Sequence, residues 1–431
     1  MFVRATHSWL KAISFVCLSL LALAGTVVPL VVAQSATVTS IPIPSRPLYI
    51  AYDSNKGEVF VGQDYSLNDT ISVVSDTSNT VVANISLKST SEGGATLAGL
   101  AFDSGKDEIF ASYSLSLSHC FCRGGYVAVI SDNSNSVVAN VSLGAFTTSN
   151  FGSIAYDSGK GEVFATINDT VAIISDASNS IVGTVMVGNG PTGLAYDSGK
   201  GEVFVADDGD YDGAVAVVSD SSNTVVANIT EGQLFNAASL TYDGGKGEVF
   251  VAAFGYARND SVLVYSDATN SMIAKIPLVS TINFQGVVAY DSAKGEVFVP
   301  DGDQVCVLSD SSNTLLGSVS LLPQSGSSSA AYDSSKGEIF VTDWGTDAVS
   351  IIPDSVSLAS STSTTASSVP ATTSTTISPS SSTSSSIPEF PFGPFSTIVF
   401  AILIVGAYFA MRRVGLGRTD REGTGHSEYS P

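Results

Sequence analysis

Charge is scarce in this chain of 431 residues: Asp, Glu, Lys and Arg together make up 13% of it. Positive charge is the rarer kind, with 18 Lys plus Arg against 40 Asp plus Glu, and the formal net charge of −22 repels a phosphate backbone. Between residues 36 and 353 there are twelve Lys or Arg; seven of them recur at one turn position, leaving Arg46, Lys88, Arg123, Arg258 and Lys275. No nucleic acid is expected as a partner. So few charges also argue against long amphipathic helices and coiled coils. Histidine is rarer still: of three, His7 and His426 lie in the end segments and only His119 in the body. One histidine cannot build a histidine metal centre, and a Ser-His-Asp set would have to rest on His119 alone, so catalysis is poorly supported. The four cysteines imply no disulfide framework. Cys17 sits in the first apolar run, Cys120 and Cys122 are too close to bridge without strain, and Cys306, in an apolar stretch, is expected to be buried.

What the chain does have is 44% apolar residues, 39 glycines and abundant serine, which is β-rich and turn-rich material. It repeats. The pattern aromatic-Asp-(Ser/Gly)-x-Lys-x-Glu-(Val/Ile)-Phe begins at Tyr52, Phe102, Tyr156, Tyr196, Tyr242, Tyr290 and Tyr332, with spacings of 50, 54, 40, 46, 48 and 42 residues. A period near 47 falls in the range of four-stranded propeller blades. A second pattern, Ser-Asp-x-(Ser/Thr)-Asn-(Ser/Thr), follows six times, at Ser75, Ser131, Ser175, Ser219, Ser266 and Ser309. In the fourth unit the strands read as Thr192 to Tyr196, Glu202 to Ala206, Ala214 to Ser219 and Thr224 to Ile229, joined by Asp, Ser, Asn and Gly turn chemistry. A phenylalanine holds one place in every second strand, from Phe60 to Phe340, which suits packing between blades. The seventh outer strand is missing from the last unit, and Ala36 to Pro42 resembles the outer strand Val81 to Leu87. The fold class expected is all-β: a seven-bladed β-propeller of four-stranded blades over 34–354, closed by the N-terminal strand, which removes both sheet edges.

Several stretches carry a family resemblance: Gly190-Pro191-Thr192-Gly193-Leu194-Ala195 before an inner strand, Phe340-Val341-Thr342-Asp343, and the outer strand Asn223 to Ile229. Residues 36 to 353 resemble the YVTN-type seven-bladed propellers of archaeal surface-layer proteins, with Asp-Ser-x-Lys-x-Glu replacing the usual Ser-Pro-Asp-Gly hairpin. That resemblance implies the fold and a surface location, and no ligand.

Both ends carry membrane signals. Arg4 and Lys11 precede an apolar run from Ala12 to Ala33 that ends in Val31-Val32-Ala33, so 1–33 reads as a secretory signal peptide, with an uncleaved anchor left open by its length. Ser355 to Ser386 holds 23 Ser or Thr in 32 residues, and 355–387 is expected to be a disordered, glycosylatable stalk. Ile387-Pro388-Glu389-Phe390-Pro391, the uncharged run Phe395 to Met411 and then Arg412-Arg413 give 388–413 as a transmembrane helix, with 414–431 as a cytoplasmic tail. This order resembles PEF-CTERM sorting signals, in which the helix is cut away; here a retained anchor and a processed one are both open. The protein is expected at the cell surface with its body outside.

Asp208-Gly209-Asp210-Tyr211-Asp212-Gly213 opens like a calcium loop, but Ala216 and Ser219 stand at its ninth and twelfth places. Asp208, Asp210 and Asp212 are thus candidate metal ligands with calcium as the candidate ion, and a solvated acidic hairpin is the alternative. His119-Cys120-Phe121-Cys122 sits in the longest insertion of the second unit and is weaker still as a metal site. Six N-glycosylation sequons occur, at Asn68, Asn84, Asn140, Asn168, Asn228 and Asn259; Asn84, Asn140 and Asn228 share one place in the outermost strand.

The first-to-second hairpin and the third-to-fourth turn keep constant length in each complete unit, whereas the Phe-to-Ser distance runs 15, 21, 11, 15, 16 and 11 residues. The disc therefore has a constant face and a variable one. The variable loops, with Tyr65, Tyr113, His119, Tyr211 and Tyr256, are expected to meet a cell-surface protein or glycan. A non-enzymatic surface-layer or adhesion module is the leading expectation; an extracellular propeller enzyme or redox accessory protein is the competing one.

Overall fold

Seven separate four-stranded antiparallel sheets are arranged as the blades of a propeller. The structure is a computed structural model that describes residues 37–358 apart from 64–69, 88–94, 117–122, 147–150, 189, 208–212, 235–236, 254–259, 279–285 and 357. Blade 1 is built from Pro47–Asp53, Glu58–Gln63, Thr70–Ser75 and Thr80–Ser86, in that order from the axis outward. Blades 2 to 6 follow the same order and begin at Ala95, Phe151, Pro191, Ala237 and Ala289. In blade 7, Ser327–Asp333, Glu338–Asp343 and Ala348–Pro353 come from the end of the propeller and Thr39–Pro42 from its beginning.

Strand composition follows from where each strand lies. Second strands such as Glu58–Gln63 are buried along their whole length, because a neighbouring blade covers each side, and they read as near-continuous Val, Ile, Ala and Phe. The outer strand Thr80–Ser86 has only one covered face and alternates accordingly. The repeated phenylalanines are at most 1% exposed. Each sits in a cluster shared with a neighbour: Phe340 of blade 7 packs with Val59, Val61 and Val74 of blade 1 and with Ile41 of the closing strand. Burying a ring of this kind stabilises by about 2–3 kcal/mol, so seven of them fix the blade spacing.

Ring closure is formed as expected. Thr39, Ser40, Ile41 and Pro42 pair with Ile351, Ser350, Val349 and Ala348, and the Ile43 amide donates to the Asp347 carbonyl at 2.8 Å. Ser40 thereby holds the place of Asn84 in blade 1, which pairs with Ser72.

Three expectations need correction. The insertion of blade 2 is a lengthened hairpin: Glu108–Ser116 and Arg123–Ser131 stay paired out to Ser116 and Arg123, so Ser114, Leu115 and Gly124 are strand residues. Tyr113 is accordingly core; it is fully buried, stacks on Tyr126 at 5.5 Å and donates to the Asn140 amide oxygen at 2.7 Å. Finally, the chain does not leave the propeller at residue 354, since Val356 and Leu358 pack against the blade 6 and blade 7 core.

Candidate functional site

On the constant face the repeat builds one device seven times. The first aspartate of each hairpin turns the chain: Asp53 Oδ1 accepts from the Asn55 and Lys56 amides at 2.9 and 3.1 Å, and Asp197 does the same for Gly199 and Lys200 at 2.7 and 3.1 Å. The hairpin is tied to its own blade's outer turn by the Asp76 amide, which donates to the Gly57 carbonyl at 3.1 Å. Gly57 has φ +68°, and a Cβ there would lie 2.7 Å from the Asp76 carboxylate, so glycine is required twice over.

The lysine of each hairpin then reaches the next blade. Lys106 meets Asp176 at 3.0 Å, Lys200 meets Asp267 at 3.6 Å, Lys246 meets Asp310 at 3.4 Å, and Lys336 of blade 7 meets Asp76 of blade 1 at 3.1 Å. Five of these lysines, Lys160, Lys200, Lys246, Lys294 and Lys336, also donate to the backbone carbonyl of the aspartate they reach. Lys56 donates to the Asp132 carbonyl at 2.6 Å and pairs with Glu58. The seventh outer turn, absent as a sequence pattern, is supplied by Asp354, which Lys294 reaches at 3.2 Å. Seven clasps therefore run once around the disc. Sequence reading had the lysines at a fixed place and missed their partners.

The repeated tyrosines join the same network. Tyr156, Tyr242 and Tyr290 donate to Asp176, Asp267 and Asp310 at 3.3, 3.2 and 3.0 Å, while the first aspartate of the preceding blade flanks each hydroxyl. Burial first, and then these two carboxylates, push every such phenol far above its ordinary range. One proton cannot serve two carboxylates, and the second oxygen of Asp103, Asp157, Asp197, Asp243 and Asp291 is left without a donor. Burial also raises the hairpin glutamates, among them Glu108, Glu202 and Glu248. Asp53 is pushed up to about 6, by burial and then by the Asp132 carboxylate.

A cavity of about 690 Å³ opens in the channel mouth on this face, lined by Tyr156, Tyr196, Tyr242 and Tyr290 and, deeper along the inner strands, by Leu194 and Leu240. A narrower space of about 90 Å³ continues along the channel, where Gly99, Gly193 and Gly286 line the wall.

The variable face offers a different surface. Trp344, in the turn after Glu338–Asp343, is 41% exposed, and the Arg46 guanidinium lies over its ring at 4.9 Å. Among the described residues no other aromatic stands with the exposed large hydrophobic side chains. The signal for it was a lone tryptophan in a turn where the other units have none, and sequence reading passed it over. Beside it Asp343 is buried, accepts from Ser350 at 2.5 Å and is pushed up to about 6 by that burial.

The remaining sequence-based candidates divide between the described residues and the rest. Asn84, Asn140 and Asn228 are exposed on the outer strands; the amide oxygens of the first two accept from Ser72 and Tyr113, which leaves the amide nitrogen, the atom a glycan would join, out of those bonds. Asn168 has φ +52° in a two-residue hairpin turn between Ile167 and Thr170. Cys306 is 2% exposed, and burial pushes its thiol up to about 12, so it is inert core. Asp208, Asp210, Asp212, Tyr65, His119, Cys120, Cys122, Tyr211, Tyr256, Asn68 and Asn259 lie outside the described residues, as do 1–33 and 388–431. Among the described residues no three His, Cys, Asp or Glu side chains are grouped to hold a metal ion.

Solved structures share this architecture. A chain of Kuenenia stuttgartiensis hydrazine synthase is similar at a TM-score of 0.60 and 13% identity, over 73% of this chain and 97% of that one. The Cps50 (Swd1) β-propeller domain of Myceliophteria thermophila is similar at a TM-score of 0.56 and 8% identity, over 74% and 99%. At such identities the likeness is one of fold alone. No family model matches the sequence. No curated protein matches it either.

Proposed function

We propose that this protein is a non-enzymatic, membrane-anchored cell-surface propeller of the surface-layer or adhesion kind, which holds a protein or glycan partner on its variable face. The observation that carries the reading is where the chain enters and leaves. Thr39 pairs with Ile351 and the last strand ends at Pro353, so the residues before the first strand and after the last one both depart on the constant face. With both ends of the described propeller on that face, the variable face is the one that meets a partner in this reading. Trp344 with Arg46 supplies the rigid aromatic anchor and the cation typical of binding hot spots. The outer-strand sequons belong to the same reading as glycan sites on the rim, and calcium at Asp208, Asp210 and Asp212 as an accessory ion.

The test is attachment of the purified protein to its native cell envelope. Trp344→Ala is expected to weaken attachment at least tenfold without changing the melting temperature. Equal attachment by parent and variant would remove the variable face of blade 7 from the site.

A further inference from the structure

The channel mouth on the constant face, remote from the proposed partner site, has the chemistry of a site of its own. Four blades each contribute one tyrosine to the 690 Å³ cavity. Their hydroxyls are held by Asp176, Asp220, Asp267 and Asp310 at 3.0 to 3.5 Å, so the rings are fixed. Tyr156 backs onto Phe110 of blade 2, stacked at 6.4 Å and 12°, which leaves its remaining surface to the cavity. A phenol that donates to a carboxylate is electron-rich, and its ring face attracts cations more strongly.

The charge around the mouth has one sign. The seven hairpins and their partner turns hold fifteen aspartates and seven glutamates against seven lysines, and each lysine is drawn into an inter-blade clasp. No lysine or arginine lines the cavity. Its other walls are apolar side chains and the hydroxyls of Ser158, Ser198 and Ser292. A bare metal ion would find no set of three ligands among the described residues. A sugar would need bidentate amide, carboxylate or guanidinium groups, and the lining has none. What fits aromatic walls, an apolar floor and a negative field is a positive charge wrapped in methyl or methylene groups.

We propose that the tyrosine-lined mouth of the constant face binds a small quaternary or alkyl ammonium cation. The probe is choline, compared with its uncharged isostere 3,3-dimethylbutanol, each titrated into the full-length chain in a non-ionic detergent and followed by ligand-observed NMR. Choline is expected to bind saturably and the alcohol at least tenfold more weakly. The double variant Tyr196→Phe/Tyr242→Phe keeps the rings and is expected to stay within about threefold of the parent. Tyr196→Leu/Tyr242→Leu removes them and is expected to lose at least tenfold. Ser198→Trp fills the mouth from its exposed rim without touching the tyrosine bonds, and so tests the site even if the leucine variant fails to fold; it too is expected to lose at least tenfold. No saturable choline binding, equal binding of the alcohol, or undiminished binding by Ser198→Trp would each overturn the proposal. None of these outcomes bears on attachment through Trp344.

Discussion

Asp107 stands where six of the seven hairpins place glycine, and it holds φ +56° to do so. A left-handed backbone disfavours any side chain by about 1 kcal/mol, which the bond from Asn55 to Asp107 at 2.6 Å offsets only in part because that bond is exposed. Asp107→Gly is therefore expected to stabilise by about 0.5–1 kcal/mol and raise the melting temperature by about 2 °C. Buried carboxylates act in the opposite direction. Asp343 and Asp53, both raised to about 6, take up a proton where the unfolded chain has already lost its own. Their contribution is thus fully present below about pH 4 and is lost as pH rises through about 6. Glu108, Glu202 and Glu248, raised by burial, add to it. Thermal melts should show higher stability at pH 5 than at pH 7.5. Asp343→Asn should flatten that slope and stabilise by about 1–2 kcal/mol at pH 7.5. A steeper slope in the variant would reverse the assigned sign.

At the level of hairpins and strands, the clasps are what one repeat adds to the next. Lys200→Met removes an ion pair to Asp267 and a bond to its carbonyl, both partly open to solvent. Screening keeps the loss to about 1 kcal/mol, a fall of about 2–4 °C in the melting temperature. An unchanged melting temperature would make the clasp incidental. The repeats made Phe204, the hairpins and the blade count legible, because each is fixed by residues within one period. The clasps were not legible, because Lys200 and Asp267 are 67 positions apart and periodicity carries no information about which neighbour a side chain meets. Asp354 was hidden for another reason: its blade takes the outer strand from the other end of the chain, so no Ser-Asp turn pattern follows. Tyr113 was misplaced because loop length was counted from Phe110, and a lengthened hairpin and a long loop look alike in that count.

For the whole molecule, closure is the decisive stabilising contact. Removing residues 36–43 would strip the outer strand from blade 7 and expose the edge of Ala348–Pro353. It would also remove Ile41 and Ile43 from the cluster that joins blade 7 to blade 1. Loss of two buried isoleucines alone costs about 4–8 kcal/mol, so the truncated chain is expected to melt far below the parent or to aggregate. The wider claim is that the propeller is tethered outside the cell. The most direct measurement uses intact source cells, a membrane-impermeant amine-reactive biotin reagent, and a peptide tag placed after Pro431. Lys275, exposed on the outer strand of blade 5, should be labelled on intact cells, and the tag should become reachable by antibody only after the membrane is opened. A propeller that is labelled only after lysis would contradict the account.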